Sequence, residues 1–188
     1  MTSVNQNFLQ SAIKLFRYYK GLGDKTFDQL SVEELQWRPN EASNSIALIV
    51  HHLSGNMLSR WTDFLTSDGE KPWRDREAEF ETGYSDKQSM IDAWNKGWTC
   101  LLSTLEELKP EDIEKIIYIR NEGQTVVEAI QRQLAHYASH VGQIMFVGKQ
   151  VKGDGWVSLS ISKGGSKDFN EDKFSQSKER KHFTEGLK

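Results

Sequence analysis

The sequence predicts an all-α protein, a four-helix bundle of long amphipathic helices, and three observations favour this fold. Four separate stretches of the 188 residues repeat apolar residues at the three- and four-residue spacing of a helix. Each of the last three stretches starts at a side chain suited to capping a helix. Strand-like patterns are confined to two short stretches, near 116–120 and 156–162.

The N-terminal region predicts one long helix and one short helix. Apolar residues recur on one face from about Val4 to Lys25. Ser31 and Glu34 then form a capping box, and Pro39 ends the short helix that follows.

The second long helix is predicted to begin at Asn44 or Ser45 and to extend to Phe64. Its apolar residues alternate at four- and three-residue intervals, which is typical of a bundle seam. About twenty residues without clear periodicity follow Phe64. A connection of this length is usually functional or a crossover.

The third and fourth long helices also have recognisable ends. Ser85 with Gln88 predicts the start of the third helix, and Pro110 lies just beyond its end. Thr125 with Glu128 predicts the capping box of the fourth helix.

The C-terminal region differs from the rest of the chain. We expect residues 1–152 to form the bundle and residues 153–188 to form a polar extension that is partly extended or mobile, because it is rich in Gly, Ser and Lys. The stretches near Ile117 and Leu159 are expected to pair as a minor sheet. Residues 149–188 carry a net charge of +3, and the body, residues 1–148, carries −6. A weak electrostatic contact between the two parts is therefore expected.

Composition excludes several classes of protein. The net charge of −3 gives nucleic acid no obvious binding surface. No apolar run approaches the roughly 18 residues of a membrane span, and the N-terminus lacks a charged and apolar leader. A single cysteine, Cys100, excludes an intrachain disulfide and a Cys-rich metal site, and we expect it to be buried. A cytoplasmic location fits best.

Two histidines have the spacing of metal ligands. His136 and His140 are four residues apart and therefore project from one helix face. No Glu follows the first of them, so the HExxH motif of metalloproteases is absent. A third His on another helix could complete the site, and His51 and His52 on the second long helix are the only candidates inside the bundle. Helix phase favours His52 if the second and fourth helices are antiparallel and His51 if they are parallel.

Polar residues flank the predicted site. Asn56, Arg120, Arg132 and Gln143 are candidates to orient a substrate or the ligands. Ser59 and Asp63 fit a solvated helix face better. The sequence contains no Ser/His/Asp triad and no phosphate-binding Gly loop.

Two motifs, SIALIVHHLSGN and LAHYASHVGQI, carry a family resemblance. Over roughly Val4 to Val151 the chain resembles the DinB-like superfamily of metal-binding four-helix bundles, and it resembles especially one poorly characterised bacterial subfamily related to thiol S-transferases. The resemblance implies an up-down-down-up topology with a long crossover between helices two and three. It also implies His52, His136 and His140 as the metal ligands, with His51 as a neighbour.

The resemblance implies a metal-dependent enzyme that holds zinc or nickel at three His. Such a site would activate a low-molecular-weight thiol, or water, for transfer to an electrophilic small molecule, as a thiol S-transferase or a hydrolase does. The alternative is a non-catalytic, stress-related protein that binds a metal or a small ligand. Six Trp provide material for a homodimer interface.

Overall fold

The computed structural model describes residues 3–81 and 83–185, and helices make up most of them. The protein is mainly α-helical, as predicted. Its helices are α1 (Val4–Phe27), α2 (Val32–Gln36), α3 (Ile46–Trp61), α4 (Lys87–Glu107), α5 (Val126–Lys152) and α6 (Ser166–Ser175). Its strands are β1 (Ile116–Ile119) and β2 (Glu122–Thr125). None of the described helices is long and apolar enough to cross a bilayer.

Helices α1 to α5 begin where a side chain accepts a hydrogen bond from a free backbone N–H group, whereas α6 has no side-chain cap. Ser45 accepts from the backbone N–H of Leu48 at the start of α3, and Thr125 forms a capping box with Glu128 at the start of α5. The capping box predicted for α2 is also present. The prediction for α4 was wrong by one residue, because Asp86 rather than Ser85 caps this helix.

Helix α3 packs closely against α4, and the two run in the same direction. A Cβ on Gly97 would lie 3.0 Å from the Cα of Ser54, so this contact depends on glycine. Two turns further along both helices, the hydroxyl of Thr104 donates to the carbonyl of Trp61 at 3.0 Å. The long connection 62–86 is therefore a crossover between parallel helices.

Helix α3 runs opposite to α5, its other long neighbour. Tyr137 donates a hydrogen bond to Asn56, whereas His52, one turn earlier on α3, lies against His140, later on α5. Helix α1 completes the packing. It runs opposite to α4, where Trp94 donates to Asp24 and Arg17 pairs with Glu106.

Aromatic side chains fill the core between the long helices. The buried ring of Phe16 meets the rings of Trp61, Trp98 and Tyr137, with centroids 6.2, 6.3 and 6.0 Å away. Tilted and edge-on contacts of this kind are favourable beyond the apolar area that they bury. The core therefore joins the faces of α1, α3, α4 and α5 that point to the centre of the protein.

The strand at 116–119 has a different partner from the one predicted. Strand β1 pairs with β2 in an antiparallel hairpin, and residues 156–162 form no strand. Arg120 and Asn121, at the turn, have positive φ angles of 55° and 62°, which a tight two-residue hairpin turn requires. Asp68 accepts from both of their backbone N–H groups, so the crossover after α3 holds this turn in place.

The C-terminal segment returns to α1. His182 bonds to Ser11, and Phe183 packs edge-on against Tyr18. Glu185 pairs with Lys14, so this electrostatic contact joins an acidic residue of the extension to a basic residue of the body. That pair has the opposite sign to the one expected from the net charges, whereas Lys152, at the start of the segment 149–188, pairs with Glu34 of the body in the expected sense.

Candidate metal centre

Three imidazoles from two helices converge at one point. The ring nitrogens of His52, His136 and His140 that face each other all lie within 4.8 Å of one another. The Nε2 atom of His136 is 3.4 Å from that of His52 and 3.1 Å from that of His140. This is the trio that the sequence and the family resemblance indicated.

Helix geometry decides between the two adjacent histidines of α3. His52 is 5% exposed and faces α5, while the ring of His51 lies against Tyr84 with centroids 5.3 Å apart. Because α3 and α5 are antiparallel, the phase argument selects His52, in agreement with these contacts.

Hydrogen bonds orient two of the three rings. The Nδ1 atom of His52 is 2.9 Å from a carboxylate oxygen of Glu79, and Nδ1 of His140 is 2.9 Å from Oε1 of Gln143. Since both partners accept, each Nδ1 carries the proton and each Nε2 presents a lone pair. The two rings are thus fixed in the tautomer that a metal ligand needs.

A buried charge network anchors Glu79. Arg74 donates to both of its carboxylate oxygens, at 2.7 and 2.8 Å, and also lies near Glu70. Gly55 allows this arrangement, because a Cβ at that position would overlap Oε1 of Glu79. The crossover therefore delivers a carboxylate to α3 at the one position where the helix has no side chain.

Burial and charge set the protonation states. Burial raises the pKa of Glu79, but hydrogen bonds from His52 and Arg74 outweigh it, so the net shift is downward and the group is ionised. Burial and the neighbouring His140 and His52 lower the pKa of His136 to about 3. Burial also lowers the pKa of His140, against the opposing hydrogen bond of Gln143. Neutral imidazole is the form that binds metals.

The trio lies at the side of an open cleft of about 340 Å³. Asn56 lines it, and its amide oxygen accepts from Tyr137, whose own oxygen accepts from the indole N–H of Trp61. Because these hydrogen bonds occupy the amide oxygen of Asn56, its amide N–H groups remain to donate into the cleft. The ring of Phe80, which also lines the cleft, stacks on His52 with centroids 4.8 Å apart.

All four predicted accessory residues lie at this site. Asn56, Arg120 and Arg132 line the cleft, and Gln143 bonds to His140. Asp63 is exposed, as expected for a solvated face. Ser59 is buried instead, since its hydroxyl donates to the carbonyl of Gly69 in the crossover.

Sequence reasoning missed the residues that the crossover supplies. Glu79, Arg74 and Phe80 come from a segment without helical periodicity, and Arg60 and Gln133 lie beside the predicted seams. The length and dense charge of the segment EKPWRDREAEFE were the available signal. Cys100 is half-buried, with its sulfur 3.6 Å from the hydroxyl of Thr62, and does not line the cleft.

Comparison with known proteins identifies relatives but no activity. Residues 3–165 match the profile of a family described as "Protein of unknown function (DUF1572)". A structure described as the crystal structure of the conserved protein of locus from Enterococcus faecalis is similar, with a TM-score of 0.60 and 16% identity over 82% of this chain and 100% of that one. At this identity the likeness concerns the fold alone. No curated protein matches the chain significantly.

The lowered pKa of His136 predicts how stability depends on pH in the metal-free protein. Between about pH 7 and pH 5 the unfolded chain takes up a proton at this His, whereas the folded chain does not. The free energy of unfolding should therefore fall as the pH decreases. Urea unfolding at pH 7.5 and 5.0, with a chelator present, measures this fall. The fall should be smaller in His136→Ala, which lacks this imidazole. An equal fall in the wild type and the variant would contradict the lowered pKa of His136.

Proposed function

The chain belongs to the DUF1572 family of proteins of unknown function, and we propose that it is a metal-dependent enzyme that activates a low-molecular-weight thiol, or water, for transfer to an electrophilic small molecule. The observation that carries the proposal is the convergence of His52, His136 and His140, two of them with a fixed tautomer, beside an open cleft.

The distances from His136 to the other two ligand nitrogens fit a divalent ion. Tetrahedral coordination at a bond length of about 2.05 Å separates neighbouring ligand atoms by about 3.3 Å. Ligands at right angles around an ion such as nickel lie about 3.0 Å apart. The Nε2 atom of His136 lies 3.4 Å from that of His52 and 3.1 Å from that of His140, in agreement with these values, and the whole set lies within 4.8 Å. The all-imidazole donor set suits zinc and nickel.

The chemistry follows from the number of protein ligands. Three neutral imidazoles with an open side are typical of a catalytic site rather than a closed structural one. When bound, a divalent ion supplies a Lewis acid that keeps a thiol, or water, deprotonated near neutral pH.

The residues around the trio have separate roles in this proposal. Glu79 and Gln143 hold the rings of His52 and His140 in position. Asn56 donates hydrogen bonds to a substrate in the cleft. Phe80 covers one face of His52 and limits the access of water from that side.

The remaining expectations belong to the same proposal. The directions of the four long helices support the up-down-down-up four-helix bundle of the DinB-like superfamily. Residues 1–152 form that unit, with 153–188 as an extension. We also propose that the protein acts in the cytoplasm as a homodimer and takes part in a stress response. If it proves not to be catalytic, it binds a metal or small ligand in the same cleft.

Thiol consumption tests the proposed activity. Metal-loaded protein should conjugate a low-molecular-weight thiol to some members of a panel of electrophiles, and chelation should abolish turnover. His136→Ala/His140→Ala should be inactive, whereas His51→Ala, one residue away from the trio, should retain activity. Metal binding without turnover across the panel, hydrolysis included, would contradict the enzymatic proposal and favour the binding protein.

Substitution of Gly55 tests whether Glu79 controls metal affinity. In Gly55→Ala the new Cβ displaces the carboxylate from His52, and the loss of such a supporting hydrogen bond typically weakens metal binding about 10- to 100-fold. Titration with zinc against a chromogenic chelator measures the affinity. Gly142→Ala is the matched control, because its Cβ would meet no atom within 4 Å. Equal affinities in the two variants would show that Glu79 is dispensable.

A further inference from the structure

The cleft beside the three imidazoles is lined by several arginines. Five of the eight arginines of the chain line it, namely Arg60, Arg74, Arg76, Arg120 and Arg132, and no lysine within residues 3–81 and 83–185 does. This concentration occurs in a chain whose net charge is −3. A cleft opposite in sign to the whole protein attracts anions locally. The use of Arg alone suggests planar, bidentate recognition.

The acidic residues of the site do not balance these charges. Glu79 pairs with Arg74, and Glu77 pairs with Arg76 at the surface. Glu70 is shared, since Arg60 and Arg120 both lie within 3.1 Å of it. If each of these three carboxylates neutralises one arginine, two of the five guanidinium charges remain uncompensated.

Arg132 is the arginine most available to a ligand. It is exposed, lines the cleft and forms no hydrogen bond or ion pair with any residue in 3–81 or 83–185. It precedes His136 by four residues and His140 by eight, so the three follow one another along one face of α5. One helical turn, about 6 Å, separates Arg132 from the nearer His.

Two buried lining residues have polar atoms that lack partners. Nε of Arg60 and Oε1 of Gln133 are buried and have no hydrogen bond among the described residues, although these side chains are only 7% and 4% exposed. A buried polar atom without a hydrogen-bond partner destabilises the folded protein. Such atoms in the wall of a cleft are typical of a site that binds a polar ligand.

We propose that the cleft binds small molecules that carry a carboxylate or phosphate group, with Arg132 as the main contact to that group. This inference rests on the proposed function in one respect. If the reaction takes place at the three His, the anionic group of the substrate lies about one helical turn away from the reacting atom. The substrate class is then a small anionic compound rather than an apolar one.

Anion binding can be measured by isothermal titration calorimetry of the full chain loaded with zinc. We use succinate and inorganic phosphate as probes and succinamide as the uncharged analogue of succinate. At least one anion should bind, and succinamide should bind at least tenfold more weakly. Binding of neither anion, or binding of succinamide as tight as that of the preferred anion, would overturn the proposal. The preferred anion indicates whether the group is a carboxylate or a phosphate.

Two variants assign the binding to Arg132. Arg132→Gln should weaken anion binding about tenfold or more, because a charge-assisted hydrogen bond to the anion is lost. The side chain is exposed, so the substitution should leave the fold intact. Arg38→Gln, an exposed arginine outside the cleft, should bind as the wild type does. Unchanged affinity in Arg132→Gln would contradict the assignment.

A further variant separates this inference from the proposed function. His136→Ala/His140→Ala removes the candidate metal ligands and retains all five arginines. Residual anion binding that remains sensitive to Arg132→Gln supports the arginine site even if the wild type binds no metal. Metal binding without anion binding would leave the proposed function intact and remove the anion site. If anion binding is lost with the metal and is unchanged by Arg132→Gln, the anion binds to the metal ion rather than to the arginines, and the proposal is overturned.

Discussion

The buried carboxylate of Glu79 is the contact on which the site depends. It bonds to His52 on one side and to the Nε and Nη2 atoms of Arg74 on the other, and it reaches α3 only because residue 55 is glycine. An unpaired carboxylate at 3% exposure would be costly, so the pairing with Arg74 is what allows a negative charge behind His52. That charge fixes the imidazole with its lone pair towards α5 and increases its basicity as a ligand.

The site and the fold share the same supports. The connection 62–86 crosses between the parallel helices α3 and α4 and carries both Arg74 and Glu79. Its Asp68 also holds the turn of the β-hairpin, which brings Arg120 to the cleft. On the opposite side, Tyr137 links Asn56 to the aromatic core. The three imidazoles are therefore surrounded by residues that the fold itself holds in place, whereas Arg132 remains available to a ligand.

Local patterns predicted the helices, and long-range contacts account for what was missed. Helical spacing, the capping boxes at Ser31 and Thr125, and the pair His136 and His140 are all readable within a few residues of sequence. His52 needed the relative direction of two helices, which the family resemblance supplied and periodicity left open. Glu79 and Arg74 lie in an aperiodic segment, so only the folded chain shows what they contact. Strand β2 (Glu122–Thr125) lacks β-branched residues until its last position, and the partner of β1 was therefore sought in the wrong segment.

X-ray absorption spectroscopy of the metal-loaded protein tests the central claim most directly. Purified protein should bind about one divalent ion per chain, and the spectrum should show three imidazole nitrogens at about 2.0–2.1 Å. Substitution of His52 by Ala should remove one of these imidazoles, while His51→Ala should leave the spectrum unchanged. A coordination sphere made only of oxygen ligands, or one that is the same with and without His52, would contradict the account.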